Sequence, residues 1–210
     1  GNRADLLVQP AATGTFTLRT LGHDRGSMGM MGAGSSGVSP ETSLATVRVT
    51  GRLDSGTSPP TPPWRGTAAE PADLRGRVVD GRRTLTFTMG MGMGMGGGMG
   101  FGFDGREFDP DRVDQVVRPG AVEEWTIANA SPMDHPFHLH VWPMQVVDAD
   151  DIDPTGQPDW RDVVIVPARG RVTVRVRFAD FGGRTVYHCH VLDHEDLGMM
   201  GVVESREAAG

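Results

Sequence analysis

HCHVLDHEDLGMM, residues 188–200, sets a cysteine between two histidines and then spaces an imidazole and a thioether evenly behind it. His194 follows Cys189 by five positions, and Met199 follows His194 by five more. Two histidines and a cysteine bound strongly, with a weak axial methionine, form the donor set of a blue-copper electron-transfer site. Spacing favours Met199 over Met200 for the axial place, and Met200 can pack beside it. One imidazole is still missing. HPFHLH, residues 135–140, can supply it, since His135 stands 54 positions before Cys189 and could lie on a neighbouring strand.

In an extended chain, side chains alternate between faces, so His188 and His190 share one face and Cys189 takes the other. Upstream, His138 and His140 share a face and His135 falls opposite, with Pro136 loosening the regularity. Each stretch therefore presents one blue-copper ligand to one side and a pair of histidines to the other. Four imidazoles facing one space imply a second, larger metal centre. Cys189 is bonded through backbone to both flanking histidines, which is a short covalent route for electrons. An isolated histidine is more often a core or surface residue than a ligand. Here, however, six of the seven histidines and the single cysteine fall in two short stretches with ligand parity. Zinc is the competing metal, but structural zinc sites usually group two or more cysteines.

With both motifs complete and in order, the sequence resembles the multicopper oxidases, the family of laccases and bacterial cuprous oxidases. The resemblance implies His135, Cys189 and His194 as type 1 copper ligands, with Met199 axial. It implies His138 as a type 2 ligand, and His140, His188 and His190 as type 3 ligands. It further implies oxidation of substrate one electron at a time at type 1 copper, and reduction of dioxygen to water at a trinuclear copper cluster. Cu(I) and phenols are the substrate classes it suggests. Glu195 stands where relatives have a carboxylate proposed to relay protons, and the other role open to it is to fix an imidazole tautomer. A periplasmic or extracellular location and a part in copper resistance also follow from the resemblance. The competing function is a non-catalytic copper-binding or electron-transfer module.

Composition narrows the field. The chain of 210 residues carries a net charge of −7, with 20 arginines and no lysine, and no basic stripe of the kind that tracks phosphates. Nucleic acid is therefore not an expected partner. No apolar run approaches the roughly 20 residues of a membrane-spanning helix. A lone cysteine permits no internal disulfide, and the opening GNRADLLVQP shows no signal peptide to read. That opening is similar to a strand late in the second domain of relatives. Only His23 lies outside the two motifs, so the resemblance implies that half of the trinuclear ligands come from N-terminal domains of the same oxidase.

Thirty glycines, repeated turn signals and short Val/Thr-rich runs point to an all-β chain. The family form is a cupredoxin-like Greek-key β-sandwich, preceded by a partial second one. Residues 1–52 are expected to close that second domain, with strands near 4–8, 14–21 and 43–49. Residues 53–76 form a Pro-rich linker with Trp64 pinning it to a surface, and residues 77–205 form the copper-bearing domain. Strands are expected near 83–89, after a turn within 118–131, and near 141–148, 162–166, 172–178 and 185–190, and the acidic stretch 148–160 reads as a solvated loop.

Two methionine-rich segments remain. Met89, Met91, Met93 and Met95 alternate with glycine, and Met28, Met30 and Met31 sit in the Gly/Ser-rich stretch 27–37. Thioethers suit Cu(I), a soft ion. The alternative is a glycine-rich strand whose methionines fill an irregular core.

Overall fold

The computed structural model describes residues 8–26, 37–51, 71–91, 99–153, 155–179 and 181–207. Four strands come first: β1 (Gly14–Thr20), β2 (His23–Asp24), β3 (Val38–Ser39) and β4 (Thr42–Val49). β1 pairs antiparallel with β4, and β2 with β3. The β1/β4 register sets Phe16 opposite Val47 and Leu18 opposite Ala45, with Thr15/Arg48 and Thr17/Thr46 on the reverse face. The pair thus has one apolar face, yet Phe16, Leu18 and Val47 are exposed. The expected strand at 4–8 and the pinning Trp64 lie outside the described residues.

The sandwich follows in chain order: β5 (Gly81–Met91), β6 (Met99–Phe103), β7 (Gln115–Val117), β8 (Val122–Asn129), β9 (His135–Leu139) and β10 (Met144–Asp148). It continues with β11 (Asp159–Arg161), β12 (Val163–Val166), β13 (Arg171–Arg177), β14 (Gly183–Cys189), the one-turn helix α1 (Leu192–Asp196) and β15 (Met200–Ser205). One sheet runs β11-β10-β13-β8-β5-β6 and the other β12-β9-β14-β15-β7. Non-sequential neighbours in both sheets give the architecture of an all-β, cupredoxin-like sandwich.

Alternation builds the core between the sheets. Leu85 and Phe87 on β5, Trp125 and Ile127 on β8, and Val172, Val174 and Val176 on β13 are all buried, as is Phe178 just beyond. Each such side chain contributes about 1.5–3 kcal/mol when withdrawn from water. Arg175, on the outward face of β13, meets Glu124 of β8 at 2.9 Å and donates to the carbonyls of Leu74 and Arg75. Gln145 adds two bonds to the same stretch, accepting from Leu74 N–H and donating to Asp73. The end of the expected linker is thereby strapped to the sandwich, and Leu74 is buried.

Three features differ from the sequence expectation. In the Met-Gly run the end of β5 pairs antiparallel with β6, with Met89 opposite Phe101 and Met91 opposite Met99. Met89 shares the parity of Leu85 and Phe87 and packs against the core, so its thioether does not line a free face. The acidic stretch contains the start of β11, and Asp151 and Asp159 both pair with Arg161, which directly follows the stretch. Finally, α1 forms within a segment too short for helical periodicity to register.

Candidate metal centre

β9 and β14 lie side by side, with Phe137 opposite Cys189, His138 opposite His188 and Leu139 opposite Tyr187. Burial along β9 alternates, so His135, Phe137 and Leu139 face the core while Pro136 and His138 face away. Pro136 does not break the strand. On β14, Tyr187 and Cys189 take the core side. Gly201 lies opposite Tyr187, and a side chain there would collide with the phenol ring.

After β14 the chain folds back. His194 N–H and Glu195 N–H both donate to Val191 O, and Gly198, with φ of 107°, turns the chain out of the helix. Met199 N–H then donates to His194 O at 2.9 Å, and Cys189 N–H to Met199 O at 3.0 Å. The two five-residue intervals read from sequence are thus one closed loop whose ends meet at Cys189.

Three donor atoms converge inside that loop. Cys189 Sγ lies 3.5 Å from His135 Nδ1 and 3.6 Å from His194 Nδ1, and the two nitrogens are 3.2 Å apart. Metal–nitrogen bonds of about 2.0 Å and a metal–sulfur bond of about 2.3 Å, opened to a trigonal plane, would set these donors roughly 3.5–3.7 Å apart. The observed triangle fits within a few tenths of an ångström. Met199 is fully buried and shares the hydrophobic core with Cys189, whereas Met200 is partly exposed on β15.

The surroundings hold the triangle in a metal-ready form. Phe87 stacks on His135 and Phe101 on His194, each at 4.8 Å between ring centroids. Ser131, which sequence reasoning missed, faces His135 Nε2 at 2.8 Å. Ser131 Oγ also donates to Met133 O and accepts from Met133 N–H. Its remaining lone pair therefore takes a proton from Nε2–H, which leaves Nδ1 as the unprotonated donor. Burial, reinforced by His194 and Arg25, pushes His135 down to about 3. Burial and Arg25 likewise push His194 down to about 4, while burial pushes the Cys189 thiol up to about 12. Without metal the site is two neutral imidazoles and a thiol. A cation that binds there must displace the thiol proton.

The sign of the pH response follows. Unfolded histidine titrates near 6.5, above both folded values, so the unfolded chain binds more protons in acid. The stability these two groups contribute is fully present above about pH 6.5 and drains away as pH falls through the folded values. The denaturant midpoint of metal-free protein should therefore drop between pH 7 and pH 4, and His135→Leu should flatten that drop. A wild-type and variant pair with superimposable profiles would show that His135 is not responsible.

On the other face, ligand atoms of His138, His140 and His188 lie within 4.8 Å of one another. His138 Nδ1 donates to Asp162 O at 2.5 Å, freeing Nε2. His188 Nδ1 lies 3.0 Å from Cys189 O and 3.1 Å from Glu195 Oε2, which leaves its Nε2 to face His140 Nε2 at 3.0 Å. With His140 in the tautomer that leaves Nε2 unprotonated, the two facing nitrogens would fit a shared cation. Burial lowers the pKa of both His138 and His140, keeping them unprotonated as ligands must be. His190 stands at the exposed rim, its ring 5.4 Å from His138 and 5.5 Å from His188. His23, on β2, is exposed. Met28, Met30, Met31, Met93 and Met95 lie outside the described residues.

A sandwich carrying a Cys/His/His triangle on one face of a strand pair and an imidazole cluster on the other is the frame of a copper redox protein. The family model described as Multicopper oxidase matches residues 79–209, and the chain belongs to that family. It is 34% identical over 105 residues to multicopper oxidase mco of Staphylococcus aureus, covering 48% of this chain and 23% of that protein. Over 146 residues it is 30% identical to a laccase of Bacillus stratosphericus, covering 60% of this chain and 28% of the laccase. Among solved structures it matches a Campylobacter jejuni multicopper oxidase described as a metallo-oxidase. That match has a TM-score of 0.64 and 25% identity, and covers 95% of this chain and 42% of the other. The chain thus spans about a quarter of the length of these two curated relatives.

Proposed function

We propose that this chain is the part of an oxidase that accepts electrons one at a time at His135, Cys189 and His194 and passes them to an oxygen-reducing cluster. His138, His140, His188 and His190 would hold half of that cluster's ligands, and N-terminal segments of the same protein would hold the rest. The observation that carries the reading is β14. Within His188–Cys189–His190, one residue reaches the buried triangle and its two neighbours point to the opposite imidazole cluster, so a few covalent bonds join the two centres. Copper, when bound, supplies the one-electron couple. In this reading Met199 would be the weak fourth donor at the first centre, Ser131 orients His135, and Glu195, against His188, moves protons toward the cluster. Residues 1–52 belong to a second cupredoxin-like domain, and the protein works in the periplasm or outside the cell, protecting against copper.

The resemblance to laccases and cuprous oxidases is the reason to carry both Cu(I) and phenols as reductants. Dioxygen uptake by the full-length copper-loaded protein, with water rather than peroxide as product, tests the oxidase. A blue band with no uptake would leave an electron carrier.

The methionine run gives a sharper test. The β5/β6 pair passes both imidazoles of the triangle, through Phe87 and Phe101, before it reaches Met89 and Met91. Replacing Met89, Met91, Met93 and Met95 by Leu keeps volume roughly constant, at a cost usually below about 1.5 kcal/mol per site. If the thioethers guide Cu(I), turnover on Cu(I) falls while turnover on a phenol persists. Equal loss on both would indicate damaged packing, and no loss would leave the run a structural strand.

A further inference from the structure

Arg25 is a charge brought to the Cys/His/His triangle from outside the sandwich. Its backbone is held on both sides, with Arg25 N–H donating to Gly37 O at 2.8 Å and Asp134 N–H donating to Arg25 O at 2.7 Å. Asp134 directly precedes His135. The fit depends on two glycines. A side chain on Gly26, whose φ is 83°, would run into the Pro132 carbonyl, and one on Gly37 would run into the backbone of Gly26.

The Arg25 side chain is half-buried, and its Nε is buried with no hydrogen-bond partner. The carboxylates nearest in sequence are engaged elsewhere, Asp24 with Gly26 N–H and Asp134 with Ala168 N–H. Among the described residues no carboxylate pairs with Arg25. The backbone bond from Asp134 nonetheless fixes Arg25 one residue from the ligand His135, so its charge is carried next to the triangle.

A guanidinium in a partly desolvated place, with an unsatisfied donor, attracts an anion and repels a cation. We propose that Arg25 selects anionic reductants for this site: phenolates in preference to cations such as Cu(I). The inference rests on the triangle being the electron-entry site. The step itself is simple. A phenolate that has already lost its proton surrenders one electron and leaves as a neutral phenoxyl radical, and the site takes up that electron with no proton to place. The same fixed charge disfavours the more positive oxidation state of the site and so raises its reduction potential.

The test is anaerobic stopped-flow bleaching of the blue band in the full-length protein, which needs neither dioxygen nor turnover. Hexacyanoferrate(II) is the anionic probe and hexaammineruthenium(II) the cationic one. R25Q should slow bleaching by hexacyanoferrate(II) by about tenfold at low salt, a modest effect for electrostatic steering. It should leave the ruthenium rate unchanged or faster, and lower the midpoint in a redox titration. R25K should restore the anionic rate, and added salt should shrink the difference between wild type and R25Q. Equal slowing with both probes, or no change with either, at unaltered copper content, would overturn the role. A colourless copper-loaded wild type would overturn the electron-entry assignment itself, and the inference with it, before any variant is compared.

Discussion

Cys189→Ser should leave the copper-loaded protein colourless. Sγ is one vertex of the donor triangle, 3.5 and 3.6 Å from the two imidazole nitrogens. A serine hydroxyl keeps its proton at neutral pH and is a hard oxygen, so it replaces neither the charge nor the softness of a thiolate. The visible absorption, which needs the thiolate, should vanish entirely. Copper bound at this site should weaken by more than the 10–100-fold that loss of a mere supporting hydrogen bond causes. The fold should survive, because Ser differs from Cys by one atom, although an unpartnered hydroxyl in this fully buried place costs about 1–3 kcal/mol. Absorption spectra and copper content of the purified variant check the prediction. A variant that kept the band at full copper loading would remove Cys189 from the site.

Glu195→Gln separates the two roles open to that carboxylate. Glu195 Oε2 lies 3.1 Å from His188 Nδ1, and a glutamine carbonyl can accept the same hydrogen bond. Orientation of His188 therefore survives the substitution, whereas proton transfer does not. Each dioxygen reduced to water takes up four protons, and a positioned acid or base typically contributes about 10²–10⁴-fold to such a step. If Glu195 relays protons, dioxygen uptake by the full-length protein falls by about that factor. Bleaching of the blue band by an outer-sphere donor should stay at the wild-type rate. Uptake within a few-fold of wild type would restrict Glu195 to holding the His188 tautomer, and Glu195→Ala would then be the damaging change.

The pleat made the site readable from sequence. Five histidines and a cysteine at strand parity predict two faces, and the alternation on β9 and β14 places His135 and Cys189 on one and His138 and His188 on the other. The sandwich was readable for the same reason, since Val172, Val174, Val176 and Phe178 alternate with arginine as written. What escaped depends on contacts between distant segments. Ser131 matters because a turn brings its hydroxyl under His135, and Arg25 because two glycines let a separate strand pair press on residues 132–134. Neither carries a local pattern. Buried Glu123 looks like one of two surface acids until Arg83 of β5 and the Trp125 indole meet it at 2.6 and 2.8 Å. Val141 lies just after His140 at a φ of 74°, a conformation that its β-branched side chain disfavours and that its sequence context does not announce.

The tight coupling of both centres to one strand restricts how this protein can change. Because β14 serves the two sites from opposite faces, inserting or deleting a single residue just before His188 would swap the faces of all that follows. Cys189 would then turn outward and His188 inward, and both centres would fail together. Loops that carry neither a candidate ligand nor its hydrogen-bond partner can lengthen or shorten without touching either centre, but between β14 and α1 the chain can vary only by replacement in place. Either centre could still be retired separately, by losing His194 or by losing His138. Neither could be relocated along the strand while the other stayed.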